Sequence, residues 1–167
     1  MKNFLLGLVL IFLALSIVYT TSVYMKSITG RIIQNSPYFS TAGFLQTAVN
    51  VDEKNIYLTS GCHRLAMSTT GQQTYSIARG LENVTDARPW THDLIKDIFS
   101  LYGIDVLMVK VDNFKDGVYY AKLLIQQGNK ILNLDSRPSD AIAIAVRFRK
   151  PVYVKKDIME KFGQRIC

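Results

Sequence analysis

Between Leu132 and Arg147 a charged, polar turn stands directly against six unbroken apolar residues, and few folds accommodate that junction. The run Asp135-Ser136-Arg137-Pro138-Ser139-Asp140 leads into Ala141 to Val146 without a polar side chain. Apolar residues at Ile131, Leu132 and Leu134 predict a strand entering the turn. Pro138 suits the first position of a helix, where the missing N–H would have no partner anyway. Asp140 then falls in the first helical turn, where unpaired N–H groups and the macrodipole favour a carboxylate. A helix apolar on every side belongs inside a core. The junction therefore predicts charged groups mounted on a rigid, buried helix, which is what a binding or catalytic site requires.

The N-terminus imposes a second constraint. No charged residue occurs from Asn3 to Met25, and Phe4 to Tyr19 is almost wholly apolar. A helix of about 20 such residues spans a bilayer core. Residues 1–26 are expected to be an uncleaved transmembrane anchor; the alternative is a signal peptide cut near Ala14-Leu15-Ser16. Lys2 on one side balances Lys26 and Arg31 on the other, so orientation stays open. Asn83-Val84-Thr85 is a glycosylation sequon that matters only in a glycosylating lumen. Residues 27–47 read as a tether and 48–167 as the folded domain.

Within that domain, Val49 to Leu58 is expected as a strand entering a hairpin at Ser60-Gly61, and Gln72 to Leu81 as a helix. Thr91 is the expected cap of a helix that points Leu94, Ile95, Ile98, Phe99 and Tyr102 inward and ends at Gly103. Ile104 to Val111 and Val118 to Ile125 are strands, with Asp116-Gly117 as the hairpin signal between them. Pro151 to Val154 is a short strand and Lys156 to Phe162 a last helix. An offset of 67 residues aligns Ile56–Leu81 with Leu123–Phe148, placing Gly61 on Gly128, Leu65 on Leu132, Ile77 on Ile144 and Ala78 on Ala145. The shared order is strand, glycine turn, strand, polar turn, buried helix. The expected fold is α+β: duplicated strand-turn-strand-helix halves forming one compact domain, preceded by one transmembrane helix. Only the second polar turn carries charge, so the chemistry is expected there.

The net charge of the 167 residues is +7. From Arg137 onward eight basic residues face three acidic ones. Clustered basic charge is the footprint of a polyanion, either nucleic acid or an anionic membrane surface, although a solvated basic face gives the same count. The two cysteines, Cys62 and Cys167, read as neither a disulfide framework nor a metal site. No phosphate-binding glycine loop, Ser-His-Asp order or zinc spacing is present.

The run Asp135-Ser-Arg-Pro-Ser-Asp-Ala-Ile-Ala-Ile-Ala resembles the signature of the bifunctional nuclease family. Arg88-Pro-Trp-Thr91-His92-Asp93-Leu94 resembles its second motif, Lys115-Asp116-Gly117 followed by Tyr120-Ala121 its third, and Lys150-Pro-Val-Tyr-Val the strand after the signature helix. The likeness covers roughly Val49 to Phe162. It implies a compact α+β domain of duplicated halves that tends to self-associate, and plant members act on both RNA and DNA. Thr70 and Gln73 stand where the family usually has glycine and glutamate, and an N-terminal anchor is not usual for it.

Phosphodiester hydrolysis needs an activated water and neutralisation of charge on the phosphoryl oxygens. Asp135, Arg137, Asp140 and His92 are the catalytic candidates. Asp135 and Asp140 would supply hard oxygens to Mg²⁺ or Mn²⁺, Arg137 would clamp a phosphate, and His92 would act as acid or base. Arg88, Lys115, Arg147, Arg149 and Lys150 are the candidate nucleic-acid contacts. The plainer reading has Asp135 and Ser139 satisfying turn N–H groups, Arg137 pairing with Asp93 or Asp116, and His92 in a closed hydrogen-bond network. The expected function is a membrane-tethered, metal-assisted nuclease on RNA or DNA; the alternatives are an inactive module binding nucleic acid or anionic lipid, and a self-associating scaffold.

Overall fold

The computed structural model describes residues 7, 11–24 and 39–167. The chain divides into two units, residues 1–40 and 41–167. In the first, residues 11–24 form a helix, α1. Among the described residues no helix is long and apolar enough to cross a membrane. Most of the remaining residues of the expected span 1–26 lie outside the described residues. Ser16, Thr20 and Thr21 of α1 donate their hydroxyls to the carbonyls of Leu13, Ile17 and Val18, which satisfies them without water.

The second unit starts earlier than the expected boundary at 48, because strand β1 is Phe44–Val51. Then come β2 (Asn55–Ser60), β3 (His63–Ser68), α2 (Gly71–Glu82), α3 (Thr91–Leu101), β4 (Ile104–Lys115), β5 (Val118–Gln127), β6 (Lys130–Ser136), α4 (Pro138–Arg147), β7 (Val152–Lys155), α5 (Lys156–Phe162) and β8 (Gln164–Arg165). The single strand expected over Val49–Leu58 is two strands. Asp52 breaks it: its Oδ1 accepts from the amides of Lys54 and Asn55 at 2.8 and 2.7 Å, a side-chain turn that competes with the ladder.

One eight-stranded sheet runs in the order β6-β5-β4-β7-β1-β2-β3-β8. The triplets β1-β2-β3 and β4-β5-β6 flank β7, and each leads into a helix, so the duplication expected from the 67-residue offset is present in space. β7 is antiparallel to β1 and parallel to β4. Val109, Val111, Val152 and Val154 from those strands are fully or almost fully buried. They meet Ala121, Leu123 and the apolar residues of α4 in one core. Helix α5 touches β3, β7 and β4. Since β3 and β4 are four strand spacings apart, about 19 Å in a flat sheet, a helix of about 10 Å diameter reaches both only if the sheet curls.

Helices α2 and α4 cross closely at Gly80, where a Cβ would come 2.6 Å from Val146 Cγ2 and 3.0 Å from Arg147 Nη1. Ser139 and every residue from Ala141 to Arg147 are buried, as the apolar run predicts. Helix α3 departs from expectation. Leu94, Ile98 and Tyr102 are exposed, while Asp93 is buried and Ile95 and Phe99 lie against the core. The cap is Trp90 rather than Thr91. An ion pair between Asp93 and Arg147 turns α3 about its axis, and the outer apolar stripe is the result. Cys62 and Cys167, which do not read as a disulfide framework in the sequence, form a disulfide. Strand β8 pairs with β3 through His63↔Arg165 and Arg64↔Gln164, and this carries the last residue back to the β2–β3 turn.

Candidate active site

The N-terminal ends of α3 and α4 meet beside α2, and the candidate groups collect there. Arg137 caps α4 in an extended conformation, and Pro138 fills the first helical position. From the cap, Arg137 Nε donates to Asp140 Oδ2 at 2.6 Å and Nη2 to Oδ1 at 3.2 Å. The Arg137 side chain is 72% exposed and that of Asp140 27%, so this pair opens to solvent. His92 Nε2 lies 3.6 Å from Asp140 Oδ1. The other ring nitrogen, Nδ1, is 2.9 Å from Ser76 Oγ on α2.

Beneath them lies a buried ion pair. Arg147 Nε donates to Asp93 Oδ1 at 2.7 Å, and Nη1 donates to the carbonyls of Ser76 and Ala143, both at 2.9 Å. Arg147 Nη2 reaches Ser76 Oγ at 3.3 Å. Asp93 Oδ2 accepts the backbone N–H of Trp90. Burial pushes the Asp93 carboxyl up, but the hydrogen bonds and charge of Arg147 and the Trp90 amide outweigh it and hold it below the usual carboxylate range. The Asp140 carboxylate beside Nε2 only accepts, which favours a proton on Nε2 and leaves the Ser76 hydroxyl to donate to Nδ1. The neutral imidazole then carries its proton on Nε2, facing Asp140.

Burial pushes the His92 imidazole below its ordinary 6.5, and the Arg147 charge adds to this, against the attraction of Asp140 and Asp93. The unfolded chain therefore binds this proton more readily than the folded one. Stability is fully present above about pH 6.5 and declines as pH falls from there toward the folded-state pKa. Urea midpoints at about pH 7.5 and about pH 5 are expected to fall further for the unaltered chain than for His92→Gln. Equal falls would place the acid sensitivity elsewhere.

The sequence groups Asp135 with Asp140, and the structure separates them. In β6, Ser136 pairs with Ala121 of the core face, whereas Asp135 pairs with Lys122 on the opposite face. Successive strand residues point to opposite sides of a sheet, so the signature is divided between the two faces. Asp135 Oδ1 accepts from Lys122 Nζ at 2.7 Å and shares a cavity of about 420 Å³ with Asp112, Asn113, Tyr120 and Lys155. Burial raises the Asp112 carboxyl above its ordinary value, the Lys122 charge opposes this and the Asp135 charge adds to it. Neither expected metal ligand has a free carboxylate: Lys122 holds one and Arg137 the other. Among the described residues no three His, Cys, Asp or Glu side chains are grouped to hold a metal ion. This donor set does not fit a divalent ion bridging Asp135 and Asp140, which would need several unpaired oxygens.

Of the expected nucleic-acid contacts, Arg147 is corrected. It is 6% exposed, and its guanidinium is fully engaged with α2, α3 and its own helix. Arg88 and Lys115 are exposed, and Lys115 lies 4.0 Å from Asp116. Arg149 and Lys150 line a separate cavity with Gln46 and Pro151, beyond the far end of α4 and about 15 Å along its axis from Arg137. The pairing of Arg137 with Asp140 was not among the expected ones.

One site residue, Ser76, escaped the sequence reading, and another, Gln73, was read only for the glutamate it replaces. Ser76 is a hydroxyl on a buried helix face, and the 67-residue offset puts it on Ala143, so that mismatch within the repeat was the available signal. Gln73 falls on Asp140 by the same offset. Its amide Nε2 donates to Ser139 Oγ at 2.9 Å, while Oε1 accepts from the Thr70 amide and the Thr69 hydroxyl. The residue in the family's glutamate position thus closes the α2 cap and ties it to α4.

A family model described as the bifunctional nuclease domain matches residues 58–166. An uncharacterized protein of Mycobacterium tuberculosis is 34% identical over 88 residues, covering 53% of this chain and 52% of that protein. Bifunctional nuclease 2 of Arabidopsis thaliana is 36% identical over 89 residues, 52% of this chain and 27% of that protein. Bifunctional nuclease 1 of Oryza sativa subsp. indica is 30% identical over 89 residues, with the same coverage. The matched stretch spans about half the length of the mycobacterial protein and about a quarter of the plant ones.

Proposed function

The chain belongs to the bifunctional nuclease domain family, and from that premise we propose that it is a membrane-tethered nuclease hydrolysing phosphodiester bonds of RNA or DNA. The observation that carries this reading is the exposed Arg137–Asp140 pair with His92 behind it. Arg137 turns from Asp140 to a phosphate of the substrate and neutralises it through two parallel N–H bonds. Asp140, released, takes a proton from the attacking water as the water oxygen bonds to phosphorus. The P–O bond to the departing nucleoside breaks, and that oxygen is protonated from solvent. His92 faces Asp140 with Nε2, 3.6 Å away, and does not itself leave the neutral state. No step is routed through a metal ion.

The test is incubation of the full chain in detergent with single-stranded RNA and DNA, with Mg²⁺, Mn²⁺ or EDTA. Cleavage that persists in EDTA is expected; cleavage abolished by EDTA and restored by Mg²⁺ or Mn²⁺ would return a metal to the mechanism. Salt-sensitive binding without any cleavage would favour the second reading, an inactive module for nucleic acid or anionic lipid. The closed Arg137–Asp140 contact is the observation on its side.

Three further parts of the proposal rest on features already described. The uncharged N-terminal stretch, with α1 hydroxyls bonded to their own helix, supports a single-pass anchor. Retention in carbonate-washed membranes is its measurement. The Cys62–Cys167 disulfide supports a domain on the oxidising side of that membrane. The exposed stripe Leu94, Ile98, Leu101 and Tyr102 on α3 supports self-association.

A further inference from the structure

Next to Arg137 lies a cavity of about 560 Å³ that the hydrolytic groups do not occupy. Arg137, Pro138 and Ser139 form one side of it. The opposite side comes from the β4–β5 hairpin, where Phe114 and Tyr119 pair across the strands with ring centroids 4.5 Å apart. Met67 and Ile56, both almost fully buried, form apolar floor. Ser68, Thr69 and Ser139 also line the wall, their hydroxyls bonded to Asn55 and Gln73. The Tyr119 hydroxyl has no hydrogen-bond partner among the described residues. At the hairpin tip Asp116 and Gly117 take positive φ, the geometry of a tight two-residue turn.

We infer that this cavity receives one nucleobase of a single-stranded nucleic acid while Arg137 holds the adjoining phosphate. The inference rests on the reading of Arg137 as a phosphate ligand. The volume lies within the roughly 300–1,000 Å³ typical of small-molecule sites. The wall combines aromatic and thioether surface for a π-face with the Tyr119 hydroxyl for the ring edge, the two features that hold unstacked bases. Arg137 is the one cation lining the cavity, and its side chain is largely exposed, so a phosphate is met outside and an uncharged ring inside. A base in a duplex would have to leave its stack to enter, which selects for single strands. This assigns the third sequence motif a role: Lys115-Asp116-Gly117 builds the hairpin that carries one wall.

The test measures binding without turnover. The full chain in detergent is titrated with adenosine 5′-monophosphate, uridine 5′-monophosphate and ribose 5-phosphate, which lacks a base. The nucleotides are expected to bind about tenfold more tightly than ribose 5-phosphate. Tyr119→Leu should remove that advantage, and Arg137→Gln should weaken all three ligands alike. Met67→Trp fills the cavity from its floor without deleting a packed ring, and it should act as Tyr119→Leu does. Equal affinity for nucleotide and ribose 5-phosphate would overturn the inference, as would a base advantage that survives both cavity variants. Selective nucleotide binding by a chain that cleaves nothing would keep the inference and remove the nuclease reading. Cleavage with no base advantage would do the reverse.

Discussion

Asp140→Asn is expected to lower turnover of a single-stranded substrate by roughly a hundred- to ten-thousandfold, the range of a lost general base. The melting temperature should move little. The substituted amide keeps the shape of the carboxylate, still accepts from Arg137 at one oxygen, and sits where the side chain is partly exposed. The comparison that gives this its force is Asp135→Asn. Both aspartates belong to one six-residue stretch, and the sequence offers no ground for separating them. Across the sheet from Asp140 and paired with Lys122, Asp135 should tolerate the same change with less than about a tenfold loss. Two equal losses would mean that the substrate reaches both faces of the sheet and that the strand does not divide the signature. A loss at Asp140 accompanied by unfolding would make that residue a helix-terminal carboxylate and nothing more.

The second large effect belongs to the ion pair under the site. Arg147→Met or Asp93→Leu alone should destabilise the domain by about 3–5 kcal/mol, because each leaves a buried charge without its partner. Together, the two substitutions should recover much of that loss, since an apolar pair of similar volume carries no desolvation cost. Denaturant titration of the two single variants and the double variant measures this directly. A single variant as stable as the unaltered chain would show that water reaches the pair. The double variant also reaches the site: Ser76 would lose the Arg147 donor, and its hydroxyl would be free to rotate.

Legibility in the sequence followed the range of the interaction. α4 could be read because Pro138, Asp140 and six apolar residues agree on one local solution. The hairpin at Asp116-Gly117, helix α2 and helix α5 were equally local. Helix α3 was placed correctly and rotated wrongly. Its apolar pattern favours burying Leu94 and Ile98, but Asp93 has a buried partner 54 residues away that no periodicity encodes. The convergence of His92 on Asp140 follows from that same docking, so it was hidden for the same reason. Grouping Asp135 with Asp140 failed at a more elementary level. The strand was expected to end before Asp135, yet β6 runs to Ser136, and pleat alternation then decides which way each side chain points. Arg147 looked like surface charge because it follows an apolar run, although Gly80 leaves the space on α2 that its side chain fills.

The link from Cys62 to Cys167 closes a covalent circuit of 105 residue steps. Ser76, His92, Arg137 and Asp140 all lie on that circuit, together with the whole of α2, α3 and α4. The exposed segment from Asn83 to Trp90 is also on it, and exposed loops are where proteases cut. One cut there opens the circuit without parting the chain: the halves that carry Ser76 and Asp140 stay joined through the sulfurs as well as through their shared core. The domain is therefore built so that a single nick leaves one molecule, and only a second cut or a reductant turns it into two.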